Sequence, residues 1–160
     1  MTTIVQAIFG LLLVLLSVGP VGHHLMLGTG GPDLIIVGLW ATIWFLDLGA
    51  GIRLALICGI LLDLLQFSPF GLWTLTFSVL VFALDFFRRR FLSVASLPHA
   101  LAALLVMSVL SQSLFSLLSR QYDLRYSLIV ILSNLILGAI VYYAAATRWK
   151  LFVWWSGERL

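Results

Sequence analysis

Of the chain's 160 residues, 62% are hydrophobic and only 9% are charged, against roughly 25% charged in an ordinary soluble domain, so a soluble globular protein is excluded. The mean hydropathy is +1.16, and at roughly 20 apolar residues per crossing the chain has room for five or six membrane spans and little else. The net charge of +3 comes from basic residues gathered at the ends of apolar segments, which membrane topology explains without invoking nucleic acid.

The first predicted span covers 4–18 and is closed by Gly19-Pro20. No basic stretch precedes it and no small-residue cleavage site follows it, so it reads as a retained span rather than a signal peptide. A loop with His23, His24 and Gly28-Thr29-Gly30-Gly31 comes next. The second span, 33–48, opens at Pro32-Asp33, where a carboxylate suits the positive end of a helix. Gly49-Ala50-Gly51 is taken as a breaker before the third span, 52–67. Ser68-Pro69 opens the fourth, 69–87, since proline is favoured at the first helical position and a preceding serine can cap the free amides. That span ends in Arg88-Arg89-Arg90. Ser96 and Pro98 open the fifth, 98–119, and the sixth, 126–147, is followed by a short tail carrying Trp149, Lys150, Trp154 and Trp155. Spans two and three, at about 15 residues or roughly 22 Å, are short, which suits a helix recessed within a bundle.

Only helices or closed barrels cross a bilayer, and these segments are too long and too continuously apolar for alternating barrel strands. The expectation is an all-α, six-span bundle over residues 1–160 as one domain. Placing both termini in the cytoplasm puts Arg53, Arg88, Arg89, Arg90, Arg148, Lys150 and Arg159 inside and leaves Arg120 and Arg125 outside, seven of nine basic residues, which predicts N-in, C-in.

The most informative polar residue is Asp63, a carboxylate within an apolar run. Insertion scales put the cost of such a group at mid-bilayer at roughly 2.5–3.5 kcal/mol, so it is expected to face protein and to have a partner. Gly51, Ala55, Gly59 and Asp63 recur every four residues, a face of small side chains that lets a neighbouring backbone come close. Asp63 is expected to accept hydrogen bonds from the start of the second or fourth span, locking the turn through Ser68, Pro69 and Gly71. Arg53 is expected to pair with Asp85 or Asp47 at the inner ends of their spans, the plain alternative being that each is solvated at the headgroup level. Ser108, Ser111, Gln112, Ser116 and Ser119 on span five and Ser133, Asn134 and Gly138 on span six suggest interhelical hydrogen bonds, or less simply a lined cavity. Cys58, alone in the sequence, reads as a packing residue.

Chemistry finds little footing. Asp47 and Asp63 lie a span apart, which does not suit an aspartyl protease. Nothing in the sequence fixes a nucleophile beside His23, His24 or His99. Adjacent histidines point apart on a helix and chelate poorly. No catalytic residue, metal site or cofactor is assigned.

Pro32-Asp33-Leu34-Ile35-Ile36, the basic Arg53, Gly59-Ile60-Leu61-Leu62-Asp63-Leu64-Leu65, Ser68-Pro69-Phe70-Gly71-Leu72 and the arginine cluster after span four together resemble the MreD family of rod-shape-determining membrane proteins. The likeness rests on residues 32–92. It implies a non-enzymatic scaffold in the bacterial cytoplasmic (inner) membrane, associated with MreC and through it with the glycosyltransferase RodA, a class B penicillin-binding protein and the filament protein MreB, besides membrane lipids. The family is similar in fold to the substrate-binding subunits of energy-coupling-factor vitamin transporters, which supplies the alternative function. The docking motif of those subunits, Ala-x-x-x-Ala in span one, is absent from Gln6-Ala7-Ile8-Phe9-Gly10-Leu11. Spans one, five and six are expected to carry the lipid- or partner-facing surfaces.

Overall fold

The computed structural model describes residues 2–18, 31–65, 71–91, 96–119 and 123–156. Among them run six helices: α1 (Thr2–Val18), α2 (Leu34–Phe45), α3 (Leu48–Leu65), α4 (Leu72–Phe91), α5 (Leu97–Ser119) and α6 (Leu124–Ser156). Three of these, α3, α5 and α6, are long and apolar enough to cross a membrane.

The short α2 is the hub, in contact with α1, α3, α4, α5 and α6. Its 12 residues are apolar all round, and Ile35 through Trp40, Thr42 and Ile43 are all buried. A helix without a polar face belongs inside a bundle rather than at its edge. At 1.5 Å per residue it spans about 18 Å, too short to face lipid from one side of a ~30 Å hydrocarbon layer to the other. Its shortness is that of a recessed core element. Trp40, fully buried, donates its indole Nε1–H to the Ala100 carbonyl at the start of α5 at 2.9 Å. Arg88 of α4 donates to the Ile43 carbonyl in the last turn of α2, a cation at the negative end of the helix.

Around this hub α3 packs most extensively against α4, α5 pairs with α6, and α1 lies along α3 and α2. The small-residue face of α3 is buried at each step, Gly51, Ala55, Gly59 and Asp63. At Gly59 the backbones nearly touch, for a Cβ there would lie 2.4 Å from Thr74 Cα. At Gly51 a Cβ would meet Ile43 of α2, and at Gly138 of α6 one would meet Leu104 of α5. Each glycine sets how closely two particular helices approach. Cys58 is fully buried beside the Gly10 carbonyl of α1, a packing position.

Several boundaries differ from those read in the sequence. Gly49-Ala50-Gly51 does not break the chain but lies inside α3. The break falls at Leu46-Asp47, where Asp47 Oδ1 accepts from the Ala50 amide at 2.5 Å and the Asp47 carbonyl from Gly51 at 3.1 Å. Asp47 is thus an N-cap, and Gly51 beyond it is a packing residue. Asp123 acts likewise for α6, its Oδ1 accepting from Arg125 and Tyr126, so that helix opens at Leu124. The expected tail is also helical, since α6 runs on to Ser156. The start expected at Ser68-Pro69 lies outside the described residues; α4 is helical from Leu72.

The Gly59 contact is with main chain, which cannot rotate away. Gly59→Ala is expected to destabilise the bundle by about 1–3 kcal/mol, the usual range for overpacking. Gly49→Ala, whose Cβ meets only the side-chain ends of Asp47 and Arg53, should shift the melting temperature far less. Thermal unfolding in detergent, followed by far-ultraviolet circular dichroism, checks the ranking.

Candidate functional site

Polar chemistry gathers at one end of the bundle, where α3 ends and α2 and α4 begin. Asp63, only 4% exposed, is its centre. Its Oδ1 accepts from the Trp73 amide at 2.9 Å. Its Oδ2 accepts from the Gly71 amide at 3.1 Å, the Thr74 amide at 3.2 Å and the Thr74 hydroxyl at 2.8 Å. The first amides of a helix have no partner within it, and here a side chain from the preceding helix supplies one. Gly71 stands at φ +94°, the left-handed region that suits glycine, so the chain can turn and aim its N–H back at Asp63. Gly59 lies one helical turn before Asp63, and its missing side chain lets Thr74 come within reach. Gly59, Asp63 and Gly71 therefore form one device; Ser68 and Pro69 lie outside the described residues.

Asp33 is a second carboxylate at a helix start. Its Oδ1 accepts from the Ile35 and Ile36 amides at 3.1 and 3.2 Å, capping α2. Its own N–H donates to Asn134 Oδ1 at 2.7 Å, and Asn134 Nδ2 donates to Ser108 Oγ at 3.1 Å. This chain of bonds joins α2, α6 and α5 through side chains nearly sealed from solvent.

Arg53 and Asp85 are at the opposite end and do not meet. Arg53 donates from Nε to Gln6 Oε1 of α1 at 2.8 Å, while Asp85 pairs with Arg89 at 2.7 Å, one turn along its own helix. The expected pairing of Arg53 with Asp85 or Asp47 is corrected on both counts. Asp47 is occupied by capping α3, and Asp85 has a nearer cation at the four-residue spacing that brings side chains together on a helix. A serine does lie beside a histidine, contrary to the sequence reading: Ser96 Oγ and His99 Nδ1 are 2.5 Å apart. Ser96 precedes α5 and His99 is in its first turn, so the pair closes a capping turn, with no carboxylate among the described residues bonded to the ring.

Beside Asp33 lies a cavity of about 170 Å³, bordered by Ser17, Asp33, Trp73, Phe77, Gln112 and Tyr126 among others. Sequence inspection picked out Gln112 as one of a polar row but not this grouping. Near the other end α1, α2 and α3 enclose an almost wholly apolar groove of about 280 Å³ around Val5, Phe9, Phe45 and Leu54. No group of three or more His, Cys, Asp or Glu side chains assembles among the described residues.

In comparisons with known proteins, no family model, no curated protein and no solved structure matches the chain.

Asp63→Asn leaves one carbonyl for four donors and, whichever way the amide turns, sets its NH₂ against an N–H. It is expected to destabilise by about 2 kcal/mol or more, the cost of stranding buried donors. Thr74→Val removes only the hydroxyl bond and is expected to cost about 1 kcal/mol. Equal melting temperatures for Asp63→Asn and the unaltered chain would show that the carboxylate does not hold this turn.

Proposed function

We propose that the chain is a six-span protein of the bacterial cytoplasmic membrane, both termini inside, and a non-enzymatic scaffold of cell-wall elongation of the MreD type. The observation that carries this reading is the convergence of Gly59, Asp63 and Gly71. The residues on which the resemblance chiefly rests are those that act together in the fold, so their spacing answers to a geometric need rather than to apolar composition alone. The resemblance brings with it MreC as direct partner, and RodA, a class B penicillin-binding protein and MreB as the wider assembly.

A partner with a single span needs an apolar helix face, and α1 supplies one. Ile4, Ile8, Leu11 and Leu15 follow one another at helical spacing and are all exposed, while only Gly10, Leu13 and Val14 of residues 4–18 are buried. The apolar groove beside α1 widens this face toward α2 and α3. MreC's span is proposed to lie there, and bilayer lipid to cover the outward sides of α5 and α6.

The alternative, a substrate-binding subunit of a vitamin transporter, draws on the cavity beside Asp33. At about 170 Å³ among the described residues, it is smaller than the roughly 300–1,000 Å³ typical of drug-sized ligand sites. That favours the scaffold.

The test is mild-detergent purification of the tagged protein from its native membrane, with mass spectrometry of what accompanies it. MreC with RodA and a penicillin-binding protein is the expected result. A coupling transmembrane subunit with paired ATPases would replace the scaffold reading by the transporter one. Cysteine crosslinking in the same membranes reads the face. Leu11→Cys and Leu15→Cys on α1 are expected to capture MreC, and Val79→Cys on α4 is not; the reverse pattern would move the partner off α1.

A further inference from the structure

The cavity between Asp33 and Trp73 combines a carboxylate, aromatic rings and unspent hydrogen-bonding groups. Asp33 commits only Oδ1 to capping, and no donor among the described residues reaches its second oxygen. Ser17 Oγ, sealed from solvent, has no hydrogen-bond partner among the described residues. The side chain of Gln112 and the hydroxyl of Tyr126 border the same space and bond to no described residue. Trp73 and Phe77, their rings 5.8 Å apart, line one wall, with Leu62 and Val130 beside them. No lysine, arginine or histidine is among the described lining residues.

These features select a ligand. A carboxylate with an unfilled oxygen in an apolar surround attracts a cation, because a buried charge is costly until it is paired. Aromatic faces add attraction for an organic cation rather than a metal ion. The volume is close to that of an engineered protein cavity of about 150 Å³ that takes up benzene, so the occupant is small. Oxygens on Asp33, Gln112, Ser17 and Tyr126 can accept N–H bonds, which a primary ammonium offers and a quaternary one does not.

We propose that this cavity is a binding site for a small primary ammonium group, held by Asp33 against Trp73 and Phe77 and oriented by Gln112. The group can belong to a free amine or to the headgroup of an aminophospholipid whose chains lie outside the bundle. The same chemistry recognises both. The described lining takes Ser17 and Val18 from the end of α1 but none of the Ile4, Ile8, Leu11 and Leu15 row, and the site does not depend on the identity of the protein partner.

Thermal unfolding of the full chain in lipid nanodiscs tests it. In discs of phosphatidylglycerol alone, ethanolamine is the probe and ethylene glycol, its uncharged counterpart, the control. In a second series phosphatidylethanolamine replaces part of the phosphatidylglycerol. The expected result is a saturable rise in melting temperature with ethanolamine but not with ethylene glycol, or a rise with phosphatidylethanolamine. The first identifies a free amine as the source, the second alone a lipid headgroup. Asp33→Asn keeps a good capping side chain and is expected to weaken the response at least tenfold in ethanolamine concentration, or to abolish the lipid effect. Should Asp33→Asn not fold, Gln112→Leu serves instead, with a several-fold weaker response expected. Absence of a response to both probes in the unaltered chain overturns the proposal. So does an equal response to ethylene glycol, or an undiminished one in the folded variant.

Discussion

The bond set around Asp63 is the constraint on which the rest of the bundle depends. A helix that begins in apolar surroundings has amides that water cannot reach, and leaving them bare costs several kcal/mol per group in hydrocarbon. Asp63 takes the amides of Gly71, Trp73 and Thr74 and the Thr74 hydroxyl onto one carboxylate. Burial raises the energy of the carboxylate and of the bare amides alike, and each removes the other's penalty. The bonding requires the axes of α3 and α4 to approach closely, which Gly59 allows, and the chain to turn sharply, which Gly71 allows. The hairpin is therefore specified by charge and by missing side chains as well as by hydrophobicity.

That hairpin forms part of the frame into which α2 is set. A short helix without a polar face gains its place by burial, yet apolar contact alone would let it slide or rotate. Three bonds from three different helices prevent this: Asn134 of α6 accepts from the residue before it, Ala100 of α5 accepts from its central tryptophan, and Arg88 of α4 donates to a carbonyl of its last turn. Interhelical hydrogen bonds in membranes average only about 0.6 kcal/mol. Their value here is positional. Each is satisfied at one depth and one rotation, so together they fix the register of the hub against all its neighbours but α1 and α3, which meet it through Leu13 against Gly38 and Ile43 against Gly51.

What the sequence disclosed follows from the same physics. A carboxylate in an apolar run, four residues after a glycine that itself follows other small residues at the same interval, has few uses apart from a close helix contact with a satisfied charge. Asp63 and its small-residue face were legible for that reason, as was Asp33 beside Pro32. Asp47 is not legible as a cap while Gly49 and Gly51 read as a breaker, and Asp123 stands apart from the apolar run that marks span six. Within the apolar helix Gly51 serves packing, and the aspartate before the glycines marks the boundary. Arg53 was matched with carboxylates by charge and depth. Its bond to Gln6 depends on how α1 is laid against α3, which local pattern does not encode. The cavity was illegible for a related reason. Ser17, Asp33, Trp73, Gln112 and Tyr126 come from α1, the start of α2, α4, α5 and α6, and only tertiary packing brings them to one place.

The two ends of the bundle consequently differ in kind. At the Asp63 end, Asp33 and Asp63 bind backbone amides, and Asp33 borders a small cavity. At the other, Arg53, Arg88 and Arg89 bind a glutamine, a carbonyl and Asp85 within one stretch of the bundle. Asp63 and Asp85 spend their charges on groups of the bundle itself, whereas the sides are left to exposed leucine, isoleucine, valine and phenylalanine. A molecule built in this way has little polar surface along its length with which to recognise a partner. Recognition through the sides must come from shape, from helix faces such as that of α1, where Ile4, Ile8, Leu11 and Leu15 project and Gly10 sits against α3. Because such packing gains nothing from the hydrophobic effect in lipid, it rewards a rigid face. The Asp63 lock and the pinned α2 hold α3 and the groove beside α1 in place, so the polar interior is what gives the apolar exterior a fixed shape.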